Sequence, residues 1–324
     1  MAAELLILRH GKSDWKTDLE DFHRPLKDRG KRGAQRIGVW LAQHELVPDY
    51  ILSSPAERAL VTAEKCCKAM GLGAEMIQQD SRLYSSDIKL LRAALKECPA
   101  QAKRVMLVGH NPVLEHLLMW LSDKGIALPA DGKLLPTATL ARLSIDENWN
   151  RLKKESATLL SITRSRDLPK KFPFPSPHGN ERRIRPAYYY SQSAVIPWRL
   201  QNGNVEVLII SSSKKKHWVV PKGIWEPGLN AQESAAKEAL EEGGIEGRVS
   251  DVAIGTYTYP KWDASCLVEV YSMEVTRVLP EAEWEEVHRG REWVSPEQAM
   301  NRLKQDELKP MVEKLALMLQ NKSL

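Results

Sequence analysis

The stretch from Arg164 to Pro186 sets Pro169, Pro173, Pro175, Pro177 and Pro186 among Lys170, Lys171, Arg182, Arg183 and Arg185, and this run constrains the chain most. Each proline removes a backbone donor and fixes φ, so neither a helix nor a central strand continues through it. A chain of 324 residues interrupted there closes one core before the run and another after it. We expect domains at 1–163 and 187–324, joined by a solvated, semi-extended linker at 164–186. With 43% hydrophobic and 27% charged residues, each half has the make-up of a globular domain. No apolar run approaches the roughly 20 residues that span a bilayer, and no secretory pattern opens the sequence. The four cysteines, Cys66, Cys67, Cys98 and Cys266, show neither C-x-x-C nor disulfide-scaffold spacing, so free buried thiols and a cytoplasmic location are expected. A formal charge of +5 gives little support to a nucleic-acid partner but suits polyanionic ligands; neither nucleic acid nor membrane is expected as a partner.

In the first half, Glu4–Leu8 and Arg104–Val108 are apolar runs that end at Arg9-His10-Gly11 and Gly109-His110-Asn111-Pro112. They read as buried strands, with helices over 32–44, 56–70 and 88–96 between them, the alternation of an α/β domain with a largely parallel sheet. Ligands of such sheets sit beyond the carboxyl ends of the strands. Arg9, His10, Arg58 and His110 are therefore the candidate catalytic residues: phosphoryl transfer to a side chain needs a nucleophile ringed by fixed cations.

These residues lie in Leu8-Arg9-His10-Gly11-Lys12-Ser13, Phe22-His23-Arg24-Pro25-Leu26, Ser53-Ser54-Pro55 with Arg58-Ala59, and Val108-Gly109-His110-Asn111-Pro112. In that order they resemble the histidine phosphatase superfamily, in particular its small phosphohistidine-phosphatase branch typified by SixA. The resemblance implies that His10 becomes phosphorylated, that Arg9, Arg58 and His110 hold the phosphoryl group, and that no metal or other cofactor takes part. Many relatives carry a carboxylate general acid; the corresponding stretch here offers only Asp87, which reads better as the N-cap of the following helix.

In the second half, strands are expected at 194–200, 205–211, 218–220, 252–259, 266–275 and 291–294, with helices at about 231–242, after Pro296 and within 308–319. Glu238, Glu241 and Glu242 fall at i, i+3 and i+4, along one face of a helix. Three carboxylates so placed repel one another unless neutralised, and a hard divalent cation suits them. The surrounding residues 223–245, GIWEPGLNAQESAAKEALEEGGI, resemble the Nudix box through Gly223, Glu238, Ala239, Glu241, Glu242, Gly244 and Ile245. Leu229 stands where the pattern has its first Glu, and Lys237 where it has Arg. The resemblance implies an α/β/α sandwich with a mixed sheet, and Mg²⁺ or Mn²⁺ held by Glu238, Glu241 and Glu242. Flanking segments look like the diphosphoinositol and diadenosine polyphosphate hydrolase branch. Lys214, Lys215, Lys216 and Lys222 are expected to line the approach of a polyphosphate to the acidic helix.

Together the halves predict a bifunctional hydrolase. A metal-dependent site would cleave a phosphoanhydride in an oxidised nucleotide, a diadenosine polyphosphate or another polyphosphorylated molecule, and a metal-free site would remove a phosphate. The alternatives are a phosphohistidine-protein phosphatase whose second domain senses a ligand, and an inositol pyrophosphate hydrolase. Oligomeric state is not legible in the sequence.

Overall fold

The computed structural model describes every residue except 1, 2, 123–125, 128, 130, 147 and 321–324. Its backbone divides into two compact units, Met1–Ala187 and Tyr188–Leu324.

The first unit is built on β1 (Ala3–Arg9), α1 (Asp28–Gln43), β2 (Tyr50–Ser53), α2 (Glu57–Met70), β3 (Ile77–Gln79), α3 (Ile88–Lys96), β4 (Arg104–Gly109), α4 (Val113–Leu121), β5 (Thr139–Ile145) and β6 (Ala157–Arg164). The sheet runs β3-β2-β4-β1-β5-β6. Its first three pairings are parallel and its last two antiparallel, which fits the expected largely parallel sheet. Leu5 through Leu8 and Val105 through Val108 are wholly buried, as central strands covered on both faces require. Leu5 and Ile7 join the core beneath α3 and α4, while Leu6 and Leu8 join the opposite one beneath α1 and α2. That alternation turns both faces of β1 inward and leaves its two ends, Ala3 and Glu4 at one and Arg9 at the other, near solvent. The sequence reading places no strands at β3, β5 or β6. The last two supply the wall beside the carboxyl end.

The segment 164–186 corrects the expectation of a solvated linker. Arg164 ends β6, Leu168 packs against the core that holds Ile37 and Leu41, and Phe172 is 2% exposed. Phe172–Phe174 (β7) pairs with Glu181–Arg183 (β8), and Gln43 Nε2 donates to the Pro177 carbonyl at 2.9 Å. The physical reason is the apolar area of Leu168 and Phe172, which is more stable covered than hydrated. A two-stranded edge hairpin tolerates the prolines because its outer N–H groups have no ladder partner to lose.

The second unit contains β9 (Ser191–Gln201), β10 (Asn204–Ser211), β11 (Trp218–Val219), β12 (Lys222–Ile224), α5 (Ala231–Gly243), β13 (Ile245–Val249), β14 (Gly255–Lys261), β15 (Ala264–Val278), β16 (Arg291–Val294), α6 (Pro296–Arg302) and α7 (Lys309–Gln320). The mixed sheet follows β11-β10-β9-β15-β13, with β12 on β9, β14 on β15 and β16 on β10. Val195, Leu208 and Ile210 face Ala231, Ala235 and Ala239 of α5. Ala194, Ile196 and Ile209, one residue out of phase, face Ala299, Val312 and Leu315 of α6 and α7. This period of two yields helix, sheet and helix layers. Helix α5 starts at a capping box between Asn230 and Glu233 and stops at Gly244, whose φ of 60° suits a residue without Cβ. Among the described residues no helix is long and apolar enough to cross a membrane. All four cysteines are buried and free.

Candidate active sites

Strands β1 and β4 are parallel neighbours with Arg9 opposite Gly109, so His10 and His110 leave the sheet side by side at its carboxyl edge. Their ring centroids lie 5.1 Å apart, and the His10 amide donates to the Gly109 carbonyl at 3.0 Å. Arg58 reaches the same place from the first turn of α2. Ser54, one residue past β2, puts its Oγ 2.9 Å from His110 Nε2. All four predicted residues of this half thus converge, because three strand ends and one helix start meet there.

The tautomer of His10 follows from its partner. Nδ1 lies 2.7 Å from the Gly11 carbonyl oxygen, which only accepts, so Nδ1 carries the proton and Nε2 keeps its lone pair. Burial pushes the His10 imidazole down to about 4, against the pull of the Gly11 bond and with help from Arg58, Arg9 and Arg24. Burial, then His10 and Arg58, push His110 down to about 3. Both rings are therefore neutral near pH 7.

Around them, the Nε atoms of Arg9, Arg24 and Arg58 and Nδ1 of His110 are buried without a hydrogen-bond partner among the described residues. Each unpartnered guanidinium N–H costs about 1–3 kcal/mol, so the cluster favours a ligand with several acceptor oxygens. Arg9 Nη1 is anchored on the Leu135 carbonyl at 2.7 Å. Asp21 reaches in from the rim. Its carboxylate meets Arg58 Nη2 at 2.8 Å and Arg24 Nη2 at 2.9 Å, and it accepts from the Tyr84 hydroxyl at 2.9 Å. Partial burial pushes Asp21 up, but Tyr84, Arg58 and Arg24 outweigh it and hold the carboxyl below its ordinary range. Arg24, Asp21, Tyr84 and Ser54 are absent from the sequence-predicted site, although Arg24 and Ser54 stand in its motifs. Asp87 is the N-cap of α3, accepting from the Lys89 amide at 2.8 Å, as the sequence suggests.

In the second unit, Glu238, Glu241 and Glu242 line one stretch of α5, but their carboxylates diverge. Glu238 lies against β12, where a methyl on Gly223 would come within 1.7 Å of its Oε1; only glycine permits this approach. Glu242 accepts from the Lys222 amide at 2.9 Å and from Arg289 Nη2 at 2.5 Å. Glu241 pairs with Lys237 at 3.1 Å, one turn away. Lys237 also reaches Glu226 at 3.8 Å, so buried Glu226 supplies a carboxylate that Leu229 does not. Burial first, and then Glu242 and Glu241, push the Glu238 carboxyl up to about 8. Burial likewise pushes Glu242 up, while the Lys222 amide and Arg289 pull it back.

Among the described residues no three acidic, His or Cys groups stand close enough together to hold a metal ion. The chemistry of the donor set nonetheless suits a hard dication: it consists of carboxylate oxygens, and Glu238, raised first by burial and then by Glu242 and Glu241, is a carboxylate that such an ion would help to ionise. Arg289 was missed by the sequence reading, which had no signal to link it with a helix 47 residues away.

Lys222 departs from the expected role. Its Nζ donates to Gln192 Oε1 at 2.9 Å and to the Tyr259 hydroxyl at 2.8 Å, and burial, with Lys261 nearby, pushes it down to about 8. It ties β12 to β9 and β14 instead of standing free in solvent. Lys214, Lys215 and Lys216 are exposed on the turn after β10. The root of that turn, Ser211, accepts from Arg289 Nη1 at 3.3 Å, which sets the turn one residue from the Glu242 carboxylate.

A family model described as NUDIX domain matches residues 190–315, and one described as Histidine phosphatase superfamily (branch 1) matches residues 5–89. Diphosphoinositol polyphosphate phosphohydrolase 3-beta of Bos taurus is 30% identical over 123 residues, 37% of this chain and 72% of that protein. The chain belongs to the Nudix family. Nudix hydrolase 12, mitochondrial, of Arabidopsis thaliana is 27% identical, over 33% of this chain and 63% of that protein. For several such curated relatives the chain spans only about three fifths of their length. A solved structure of the protein histidine phosphatase SixA complexed with tungstate is similar to 51% of this chain and 98% of its own, at 22% identity and a TM-score of 0.43. The Nudix match covers α5 and its carboxylates. The histidine phosphatase match covers Arg9, His10 and Arg58 and stops before His110.

Proposed function

We propose that the protein is a two-site hydrolase of phosphate compounds. In the first unit, Nε2 of His10 attacks a phosphoryl group, the bond to the leaving oxygen or nitrogen breaks, and the leaving group takes a proton from solvent. Water then cleaves the N–P bond, returning neutral His10 and releasing inorganic phosphate. Arg9, Arg24, Arg58 and His110 hold the equatorial oxygens as charge builds on them. The observation that carries this reading is the ring of buried, unpartnered donors around a histidine whose Nε2 lone pair is free. Among the described residues Asp21 is the carboxylate paired with Arg58 and Arg24, and its lowered pKa makes it a poor proton donor; phosphoanhydrides and phosphoramidates are therefore favoured over alkyl esters.

In the second unit, Glu238, Glu241 and Glu242 would hold Mg²⁺ or Mn²⁺, which when bound lowers the pKa of water and neutralises phosphate charge. The chain's own residues prepare that site: Gly223 admits the Glu238 carboxylate, Arg289 and the Lys222 amide orient Glu242, and Lys237 holds Glu241 against Glu226. The substrate class is a polyphosphorylated small molecule such as a nucleotide. The test is a panel of nucleoside triphosphates, oxidised nucleotides, diadenosine polyphosphates, inositol pyrophosphates and a phosphohistidine protein, with and without Mg²⁺, products being separated by chromatography. Metal-dependent anhydride cleavage together with metal-independent phosphate release is expected. Turnover of the phosphohistidine protein alone would replace this reading with the signalling one.

A further inference from the structure

A second cationic cavity, of about 560 Å³, opens in the first unit on the far side of the chain segment that follows His10. Lys12, Arg29, Arg36, Lys133, Arg164 and Arg166 line it, and no carboxylate does among the described residues. Two walls fix its shape. Arg29 and Arg36 stand seven residues apart on one face of α1, and α1 is pressed on Lys12, where a methyl on Gly30 would lie 2.4 Å from the Lys12 carbonyl oxygen. Opposite, the Ala138 amide donates to the His10 carbonyl and the Ser165 amide to the Ala138 carbonyl, each at 3.1 Å, which welds this wall to the catalytic strand end. Arg164 and Arg166 are clamped by Asp131 from behind, at 2.8 and 3.0 Å.

The other four cations have no such clamp among the described residues. Arg36 Nε is buried without a partner, and so is the hydroxyl of Thr139, a residue 0% exposed that also lines the cavity. Like charges gathered in one cavity without counter-ions repel one another. A buried hydroxyl without a partner adds a further cost. The unclamped positive charge of Lys12, Arg29, Arg36 and Lys133 is relieved by a compact ligand that carries several negative charges and many acceptor oxygens. A condensed phosphate chain does so; an acidic peptide spreads its charges over a length that a cavity of this volume does not enclose.

We propose that this cavity is a binding site for a condensed phosphate chain, separate from the ring of donors around His10. It deepens the phosphatase reading by naming the ligand class, and rests on that reading only for its link to turnover. The test uses the full chain carrying His10→Ala, in the presence of a chelator, titrated with inorganic tripolyphosphate by calorimetry. Saturable binding is expected, weakened at least tenfold by Arg29→Ala with Arg36→Ala and falling as salt rises. Hydrogen exchange on the singly substituted chain should slow at residues 136–139 and 164–166 on adding tripolyphosphate, a readout that survives if the arginine variant folds poorly. A nucleoside triphosphate giving the same protection more tightly would identify the chain as part of a nucleotide. Unchanged exchange in those segments, or a polyglutamate peptide binding as tightly as tripolyphosphate, would overturn the assignment. Because no turnover at His10 is involved, failure of the phosphatase reading leaves the outcome intact.

Discussion

Around His10 the charged groups are guanidiniums gathered about two neutral imidazoles, whereas along α5 they are carboxylates, one of them pushed up to about 8 by burial and by its neighbours. Both arrangements suit a phosphate, but with opposite signs of preparation. The first carries its own compensating charge and leaves donors open. The second carries the charge of the ligand and holds its carboxylates apart with Lys237 and Arg289. A cationic pocket of this kind is complete within the polypeptide, while an anionic helix face requires a cation from outside before an anion approaches.

The largest effect that tests this contrast is His10→Ala. It should lower metal-free phosphate release by at least about 10³-fold and abolish a phosphoenzyme trapped by acid quench, with anhydride cleavage in Mg²⁺ nearly unchanged. A persisting phosphoenzyme would remove His10 from its role. Next, Glu241→Gln or Glu242→Gln should cost metal-dependent cleavage on the order of 10²-fold and spare the phosphatase, and chelator should act as the substitutions do. If neither chelator nor substitution matters, the two sites do not differ in the way argued.

The titration of the two imidazoles sharpens the comparison further. An unfolded chain takes up protons on them as pH falls through about 6.5, while the folded one stays neutral until about 4 for His10 and about 3 for His110. The unfolded state therefore binds more protons in that window, and stability falls with falling pH, by roughly 1.4 kcal/mol per imidazole for each pH unit below 6.5. Urea midpoints for the first unit's transition at pH 7 and 5 should show the loss, and His110→Gln should reduce it. Conversely, kcat/KM corrected for substrate ionisation should hold between pH 7 and 5, since the nucleophile is not protonated there. An inflection near 6.5 would place a solvent-like imidazole in the site.

Smaller effects concern the rims. Asp21→Asn removes the carboxylate that shares Arg58 and Arg24 with an incoming anion, so tungstate or phosphate should inhibit about 3- to 10-fold more tightly. Weaker inhibition would mean that Asp21 holds Arg58 in position instead. Least of all, replacing Lys214, Lys215 and Lys216 by Ala should raise KM severalfold for the substrates with most phosphates and hardly at all for the shortest. The effect should shrink with salt, as exposed charges are screened within about 8 Å at physiological ionic strength. An equal change across the panel would mark the turn as a general steering charge or a fold defect.

Much of this was legible in the residue order. Buried runs such as Leu5–Leu8 fix a two-sided strand because water is excluded from both faces, and the cap Asp87 fixes a helix start because its geometry is local. That Arg9, His10, Arg58 and His110 come together was legible in strand ends and motifs, and that Glu238, Glu241 and Glu242 share a stretch of α5 was legible in helical spacing. What the sequence could not determine were the partners brought from far along the chain. The register that sets Arg9 opposite Gly109, the pairing of Glu242 with Arg289, the capture of Lys222 by Gln192 and Tyr259, and the burial of Phe172 within an expected linker all depend on packing. A side chain's charge and spacing are written in its own segment. Whether it meets solvent, a counter-ion or an open donor is decided by what the rest of the fold places against it, and only the tertiary structure supplies that.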